Sequence, residues 1–307
     1  MPEPLVFSTE PYQYLGDAIA KGASWECGKV TRKTFPDGEH YLRIDSDPAD
    51  RDVILVGGTP DDRATLELYD LACGLCNLGA YRVRMVIPFF GYSTMERAVK
   101  PGEVVTAKTR ARLLSSIPMA SRGTQVFLLD LHVDAIAHYF EGGIRTVHVY
   151  GKPLVIAAAQ RFGCDVLACT DAGRAKWVES LANDMNVPAA FVYKRRADNG
   201  EPEVTGVSAE VRGKRVVIYD DMIRTGGSLM NAARTYLEAG ATSIDAIATH
   251  GVFPGDSLAK LEASKLFGSI WVTDSHPRAV ALRNSQSKFL HVDSTAGVLI
   301  EHLMSNR

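Results

Sequence analysis

The stretch VVIYDDMIRTGGSLMNAARTYLEAG (216–240) decides the fold. It opens with an apolar run from Val216 to Tyr219 that predicts a buried strand. Apolar residues then recur with helical spacing from Leu229 to Leu237, and Gly240 follows as a helix stop. A strand that passes through a polar, glycine-containing loop into a helix is typical of an α/β sheet, in which ligands bind at the carboxyl ends of the strands.

The loop between this strand and helix has the chemistry of a phosphate and sugar site. Residues 225–228 combine hydroxyls with backbone N–H groups at a helix N-terminus, a favourable place for a phosphate. Gly226 and Gly227 would let the backbone approach that phosphate without an obstructing Cβ. Asp220 and Asp221 could accept hydrogen bonds from adjacent sugar hydroxyls. The alternative is a capped helix behind two surface acids, although carboxylates at a strand end are costly without partners.

The same alternation of strand and helix extends outward in both directions. It predicts an α/β fold with two domains, each a mostly parallel sheet flanked by helices: residues 1–147, then 148–290, then a C-terminal helix in 291–307. Residues 195–206 have the composition of a loop. The pattern predicts a helix over 62–80 and strands at 52–58, 83–90, 125–131, 165–170, 189–194, 215–221, 243–253 and 269–275.

Composition excludes several protein classes. With 46% hydrophobic and 23% charged residues among 307, the chain is not intrinsically disordered, and a net charge of −2 disfavours a protein that coats nucleic acid. There is no run long enough to span a membrane and no secretory signal. Five cysteines suggest no disulfide framework and a cytoplasmic setting. Cys73 and Cys76 are expected to pack with Leu66 and Tyr69 on the apolar face of the predicted helix.

The segment 216–240 resembles the phosphoribosyl-diphosphate-binding loop of type I phosphoribosyltransferases. Other stretches narrow the resemblance to the ribose-phosphate diphosphokinase family, which implies two phosphoribosyltransferase-like domains. They occur in family order over nearly the whole chain: FPDGEHYLRI (35–44), VIPFFGY (86–92), KPGEVVTAK (100–108), DLHVDAIAHYF (130–140), TDAGRAKW (170–177), YKRR (193–196), ATHGVF (248–253) and VTDS (272–275).

The resemblance implies that the diphosphoryl group of ATP is transferred, with Mg²⁺, to the 1-hydroxyl of ribose 5-phosphate, and that AMP is released. The hairpin around residue 35 would reach a neighbouring subunit, which implies at least a dimer and is compatible with a hexamer. The resemblance assigns Asp220, Asp221, Thr225, Gly226, Gly227 and Ser228 to ribose 5-phosphate, and Arg224, within the same stretch, is expected at this site as well. It assigns Asp171 to magnesium and the acceptor, His132 to the metal, ATP and catalysis, Lys194 and Arg196 to catalysis, and Phe35, Asp37 and Glu39 to adenine.

Simpler roles remain open for some of these residues. His132 could be an ordinary loop histidine, and Asp171 could cap a helix whether or not it binds metal. His138 matches no family position. Two other functions also stay open: a non-catalytic homologue that regulates a synthetase, and a phosphoribosyltransferase that uses the same loop.

The chain departs from the family pattern at three places. Thr94-Met95 stands where most members carry Arg-Gln, so Arg97 is the nearest arginine that could contact the nucleotide. Arg224 stands where members usually have Asp or a small polar residue. The stretch GGTPDDRAT (57–65) is shorter than the usual loop there.

Overall fold

The computed structural model describes residues 3–170, 172–196, 202–283 and 288–306, with the backbone alone for 172, 193–196 and 202–206. The chain forms two compact units, Met1–Tyr150 with Ser294–Arg307, and Gly151–Asp293. The C-terminal helix therefore belongs with the first unit, whereas the last strand before it belongs with the second. The predicted fold class, two α/β units with mostly parallel sheets, is confirmed.

The first unit is built on a parallel sheet with strand order β2-β1-β5-β6-β7-β8, accompanied by an antiparallel hairpin, β3-β4. Its central strands are buried along their whole length, as expected where helices cover both faces of a sheet. Its elements are β1 (Leu5–Ser8), α1 (Gln13–Ala23), β2 (Glu26–Cys27), β3 (Val30–Thr34), β4 (His40–Ile44), β5 (Asp52–Val56), α2 (Asp62–Asn77), β6 (Arg82–Ile87), α3 (Thr106–Ser115), β7 (Thr124–Leu129), β8 (Arg145–Val149) and, from the end of the chain, α9 (Ala296–Ser305).

The second unit is built on a sheet with strand order β11-β10-β9-β12-β13-β14-β15, in which only β11 is antiparallel to its neighbour. Its elements are α4 (Lys152–Arg161), β9 (Val166–Cys169), α5 (Ala175–Met185), β10 (Ala189–Arg196), β11 (Pro202–Val207), β12 (Arg215–Ile223), α6 (Gly227–Glu238), β13 (Ser243–Gly251), α7 (Ser257–Ala263), β14 (Ile270–Thr273), α8 (Pro277–Arg283) and β15 (Leu290–Asp293).

In both sheets the strand order reverses direction at the first strand of the unit. In each unit the first strand is flanked by the second strand on one side and by a later strand on the other: β1 lies between β2 and β5, and β9 lies between β10 and β12. Such a switch opens a crevice at the carboxyl ends of the two central strands, because their connections leave on opposite faces. The fold thus places a candidate crevice between β9 and β12, where the loop 220–228 begins.

Two local predictions are corrected. The apolar face of α2 is rotated from the predicted one, because Leu68, Leu71 and Leu75 form the buried row while Leu66 is 52% exposed. Cys73 and Cys76 pack at the margin of the core, and burial raises the pKa of Cys76 to about 11, which makes this thiol unreactive. The segment predicted as a loop contains β11, which pairs with β10; residues 197–201 lie outside the described ranges.

The described parts of the chain contain no helix that is both long and apolar enough to cross a membrane. Each of the five cysteines, all within the described ranges, has a free thiol.

Candidate active site

The crevice of the second unit is formed by the ends of the adjacent parallel strands β9 and β12. The Thr170 hydroxyl, just after β9, donates to the Asp220 carboxylate on β12 over 3.3 Å. The backbone N–H of Asp221 donates to the same carboxylate over 2.9 Å. Sheet register therefore brings a hydroxyl and two carboxylates together at the switch point, although they are 50 residues apart in sequence.

The two carboxylates differ in burial and in their partners, although the sequence predicts the same role for both. Asp221 is only 3% exposed and pairs with Arg174 over 2.8 Å. Asp220 is partly buried, and the loss of hydration together with the charge of Asp221 raises its pKa above the usual aspartate value. Asp220 is therefore the carboxylate that gains most from a sugar hydroxyl or a cation, and Asp221 is held by its arginine.

The two glycines at the start of α6 are subject to different structural constraints. Gly226 has φ +80°, and a Cβ there would lie 2.6 Å from a methyl carbon of the buried Leu261. At Gly227 a Cβ would meet no atom within 4 Å. The prediction assigned both residues the same role, close approach of a phosphate. Only Gly227 faces open space, whereas Gly226 is required by the backbone turn and by packing.

The loop side chains around these glycines are exposed. Arg224, Thr225 and Ser228 all lie at the surface, next to the N-terminus of α6. The positive end of a helix, two hydroxyls and a guanidinium together favour an anion at this place. The predicted ribose-phosphate residues 220–228 thus lie at the end of β12, in the turn that follows and at the start of α6.

Three predicted site residues fall outside the part of the chain whose side chains are described. Asp171 is not described at all, and Lys194 and Arg196 are described as backbone only. The backbone of Lys194 and Arg196 lies in β10, opposite Val204 and Pro202 of β11. Their predicted roles remain predictions.

The switch point of the first unit is filled by its own side chains. A Cβ on Gly58, just after β5, would collide with the Tyr12 hydroxyl. The Asp61 carboxylate accepts the backbone N–H of Ala64 over 2.8 Å and so caps the N-terminus of α2. This position is structurally equivalent to the loop before α6, but an aspartate already occupies the helix end that would attract a phosphate.

His132 lies at the carboxyl edge of the first sheet. It is partly buried and follows the last residue of β7 by three positions. The adjacent backbone is held in place because the N–H of Asp130 donates to Val149 over 2.9 Å and that of Leu131 donates to His148 over 3.1 Å. His132 therefore stands on a fixed loop, as a ligand histidine requires.

The predicted adenine residues lie at the exposed tip of the β3-β4 hairpin. Phe35 donates its N–H to the carbonyl of Glu39 over 2.8 Å, and the Asp37 carboxylate accepts the N–H of Glu39 over 3.1 Å. The Phe35 ring remains 46% exposed. The ring makes an edge contact with Tyr41 at 6.2 Å between centroids, and a hydrogen-bonded turn that presents a half-exposed aromatic ring is suited to stacking against a planar group.

The departure at Thr94-Met95 lies in a short 3-10 turn after β6, Ser93–Met95. Thr94 is exposed and Met95 is 45% exposed. Arg97 is also exposed, and its nearest carboxylate is Glu96 at 3.4 Å. The Met95 side chain is exposed, and the ion pair of Arg97 is with its chain neighbour alone among the described residues, so both side chains are accessible to a ligand.

Two sets of residues were not assigned by the sequence. Arg174 lies in the quoted TDAGRAKW stretch, but its pairing with Asp221 depends on the register of β9 against β12. A buried polar cluster joins the ends of β13 and β14, where His250 Nδ1 lies 2.8 Å from the Ser275 hydroxyl and His276 Nδ1 accepts the N–H of Arg278 over 3.1 Å. The quoted ATHGVF and VTDS stretches could have indicated this cluster, since each places polar residues in an otherwise apolar predicted strand.

The stability of the second unit should fall as the pH drops from 6.5 to 4, because His276 resists protonation. Burial, with the neighbouring His250 and Arg278, lowers the pKa of His276 from 6.5 to about 4. Above pH 6.5 the imidazole is neutral in both states; below it the unfolded chain binds a proton that the folded chain excludes. The loss should reach about 3 kcal/mol, at roughly 1.4 kcal/mol per pH unit.

Urea unfolding from pH 8 to 4 measures this effect. His276→Asn should flatten the profile, because Asn keeps an acceptor for the Arg278 N–H and cannot become charged. The exposed His291, replaced by Gln, serves as the control and should retain the wild-type slope. An unchanged slope in His276→Asn would assign the acid sensitivity to other groups.

Comparisons with known proteins cover both units. Residues 5–117 match the family profile described as the N-terminal domain of ribose phosphate pyrophosphokinase, and residues 155–269 match the phosphoribosyl transferase domain. A ribose-phosphate pyrophosphokinase of Fusobacterium nucleatum is 31% identical over 98% of this chain and 95% of its own length. That of Agrobacterium fabrum is 32% identical over 96% and 94%. A crystal structure of phosphoribosylpyrophosphate synthetase from Mycobacterium smegmatis is similar over 100% of both chains, with 25% identity and a TM-score of 0.85.

Proposed function

The chain belongs to the ribose-phosphate pyrophosphokinase family, and we propose that it transfers the diphosphoryl group of ATP to the 1-hydroxyl of ribose 5-phosphate. The observation that carries the proposal is the pairing of an open phosphate loop, 225–228, with the carboxylate of Asp220 at the switch point of the second sheet. A phosphate and the hydroxyls of a phosphorylated sugar are the groups that such a loop and carboxylate would bind.

In the proposed reaction the acceptor is fixed before the transfer. The loop 225–228 and Arg224 would hold the 5-phosphate, and Asp220 would accept hydrogen bonds from ring hydroxyls while Arg174 holds Asp221 in place. The 1-hydroxyl oxygen would then form a bond to the β-phosphorus of ATP, and the bond from that phosphorus to the oxygen that bridges it to the α-phosphorus would break. AMP would leave with that oxygen and its electron pair, and the hydroxyl proton would pass to solvent. Such transfers depend mainly on positioning and neutralised charge.

The basic residues of β10 would act on the transferred group. Lys194 and Arg196 would place positive charge on the oxygens that become more negative in the transition state. Arginine can bind two such oxygens in a fork, whereas lysine acts as a point charge.

The described residues of the site supply some of the oxygen donors that a magnesium ion requires. Among the described residues no group of three metal-binding side chains occurs, but magnesium commonly uses one or two carboxylates and completes its coordination with phosphates and water. Asp220, with a pKa raised by burial and by Asp221, would be stabilised by a cation. The resemblance also makes Asp171 and His132 candidate donors, and a bound ion would neutralise the charge of the diphosphate.

The nucleotide would be bound through the hairpin tip. Phe35 offers an exposed stacking face, and Asp37 and Glu39 stand next to it. An aromatic ring left exposed at a hairpin tip also supports assembly into dimers or larger oligomers, in which a second subunit would cover it. The free cysteines agree with a cytoplasmic enzyme.

The decisive experiment mixes the purified chain with ATP, ribose 5-phosphate and magnesium and follows AMP. AMP should form only when all three are present. Formation of ADP, or no product at saturating substrate, would overturn the proposal; binding of ribose 5-phosphate without turnover would favour the non-catalytic homologue. A phosphoribosyltransferase would instead consume phosphoribosyl diphosphate in the presence of a nucleobase.

Restoring the family pair, Thr94→Arg with Met95→Gln, should lower the KM for ATP by about fivefold, if ~1 kcal/mol of contact returns. The ratio of kcat/KM for ATP over GTP should also rise, because a stacking face such as Phe35 or Met95 accepts either purine. Both residues are exposed, so the fold should tolerate the change.

Kinetics with ATP and GTP in both versions of the protein test this point. Arg97→Gln in each background is the informative control. If KM and the ATP:GTP ratio stay unchanged on restoration but Arg97→Gln weakens ATP, then Arg97 already takes the place of the missing arginine.

A further inference from the structure

A histidine on β8 holds the loop that carries His132. The register of the two strands places His148 opposite Leu128, one residue before the end of β7. The Nε2 atom of His148 lies 3.1 Å from the backbone nitrogen of Leu131, the residue immediately before His132. This hydrogen bond joins residues that are 17 positions apart in sequence, so it depends on the pairing of β7 with β8.

The hydrogen bond determines which ring nitrogen of His148 carries the proton. A backbone N–H only donates, so Nε2 must accept with its lone pair. The proton of the neutral imidazole is then on Nδ1, which lies 3.4 Å from the carboxylate of Asp134. Burial lowers the pKa of His148 below its usual value, against the opposing charges of Asp134 and Asp130, so the ring is neutral at neutral pH.

The imidazole ring is also held by packing. Tyr150 lies against it, with 4.1 Å between the ring centroids and 36° between the ring planes. The Tyr150 hydroxyl donates to the second oxygen of the Asp134 carboxylate over 3.4 Å. The side chain of His148 is only 13% exposed. Contacts with the ring face and at both nitrogens therefore keep the Nε2 lone pair in one position.

The loop requires such support because its backbone is strained. Asp130 has φ +38°, in the left-handed region that a residue with a side chain adopts only at an energetic cost. The N–H of Asp130 donates to the carbonyl of Val149 over 2.9 Å, and any residue at position 149 supplies that acceptor. The N–H of Leu131 has an acceptor on β8 only when the side chain at position 148 provides one. The identity of residue 148 therefore decides whether the backbone before His132 is fully held.

We propose that His148, as the neutral tautomer with its proton on Nδ1, is a positioning residue that fixes His132 for the transfer reaction. This role rests on the proposed function, since it requires that His132 take part in that reaction. His148 acts through the Leu131 N–H and not through contact with the reacting atoms. Phosphoryl-type transfer depends mainly on positioning, and a displacement of about 1 Å can lower a rate roughly a hundredfold.

Two substitutions at position 148 separate the loss of the acceptor from the loss of the ring. His148→Leu fills similar space without an acceptor, whereas His148→Gln places an amide oxygen near the position of Nε2. His148→Leu should lower kcat for AMP release at least about tenfold, and His148→Gln should keep kcat within about threefold of the wild type. The Kd for ribose 5-phosphate should change less than about twofold in both, because the predicted residues for that ligand lie in the second unit.

A second histidine close in sequence serves as the matched control. His138 is exposed and lies in the short 3-10 helix Asp134–Tyr139 that follows the same loop. His138→Leu should keep the kcat of the wild type. Full activity of His148→Leu, or an equal loss in His138→Leu, would overturn the proposed role of His148.

The geometry is tested without turnover by hydrogen exchange and by NMR of the full chain. Exchange at the Leu131 amide should be slow in the wild type and in His148→Gln, and at least about tenfold faster in His148→Leu. Long-range proton–nitrogen correlation spectra of histidine-labelled wild type should place the His148 proton on Nδ1. A proton on Nε2 overturns the proposal, as does a His148→Gln variant that protects Leu131 but loses kcat. Both of these measurements stand even if His148→Leu does not fold.

The proposed function and the role of His148 fail in different assays. If the wild type releases no AMP while fast exchange at Leu131 occurs only in His148→Leu, the proposed function is refuted and the hydrogen bond from Leu131 to His148 still stands. If the wild type releases AMP and His148→Leu releases it equally fast, the proposed function stands and the positioning role is refuted.

Discussion

Replacing Lys194 by alanine is expected to lower kcat by about a hundredfold or more while the affinity for ribose 5-phosphate changes little. The lysine charge is needed mainly when negative charge builds up on the transferred diphosphate, and an interaction made only in the transition state affects kcat rather than binding. The acceptor would still be held by residues 220–228. Steady-state kinetics, with calorimetry for ribose 5-phosphate, separate the two effects.

Arg195 supplies the matched control for this variant. It lies in the same strand and carries the same charge, but the resemblance gives it no role. Arg195→Ala should retain kcat within about threefold of the wild type, an ordinary effect for a residue outside the site. Equal losses of kcat and of ribose 5-phosphate affinity in Lys194→Ala would instead make this lysine a simple binding residue.

The fold was predictable where local sequence decides local structure. The apolar run 216–219 has no polar residue that could face water, so it had to be a buried strand, and the structure has β12 there. The glycine at 240 ends the following helix with φ +97° as expected. Because the loop 220–228 is continuous in sequence, its strand, turn and helix could be predicted together.

Features that depend on register could not be predicted. The pairing of Arg174 with Asp221 exists because β9 lies beside β12, which no spacing in one sequence reveals. The prediction of the buried face of α2 was wrong because Leu66 and Leu68 are both apolar, and only packing against the sheet determines that Leu68 is the buried one. Strand β11 was missed because a short edge strand beside a polar segment has no apolar alternation of its own.

The neighbouring glycines 226 and 227 should respond in opposite ways to alanine. Gly226→Ala should destabilise the second unit by about 3 kcal/mol, from left-handed strain together with overlap against the buried Leu261. Gly227→Ala should leave the stability within about 1 kcal/mol of the wild type, since its Cβ meets open space and alanine favours the first turn of α6. Urea unfolding of both variants measures this difference.

Gly227→Ala should weaken the binding of ribose 5-phosphate, although it changes the stability little. The space that is empty beside Gly227 is where the 5-phosphate would approach the backbone N–H groups of α6, so a methyl group there should raise the Kd for ribose 5-phosphate at least tenfold, or about 1.4 kcal/mol. Each glycine thus controls for the other, because one substitution affects folding and the other affects the ligand. If Gly227→Ala is stable and binds ribose 5-phosphate as the wild type does, the phosphate does not approach at this residue, and the anion must be held by the exposed side chains of Arg224, Thr225 and Ser228 instead.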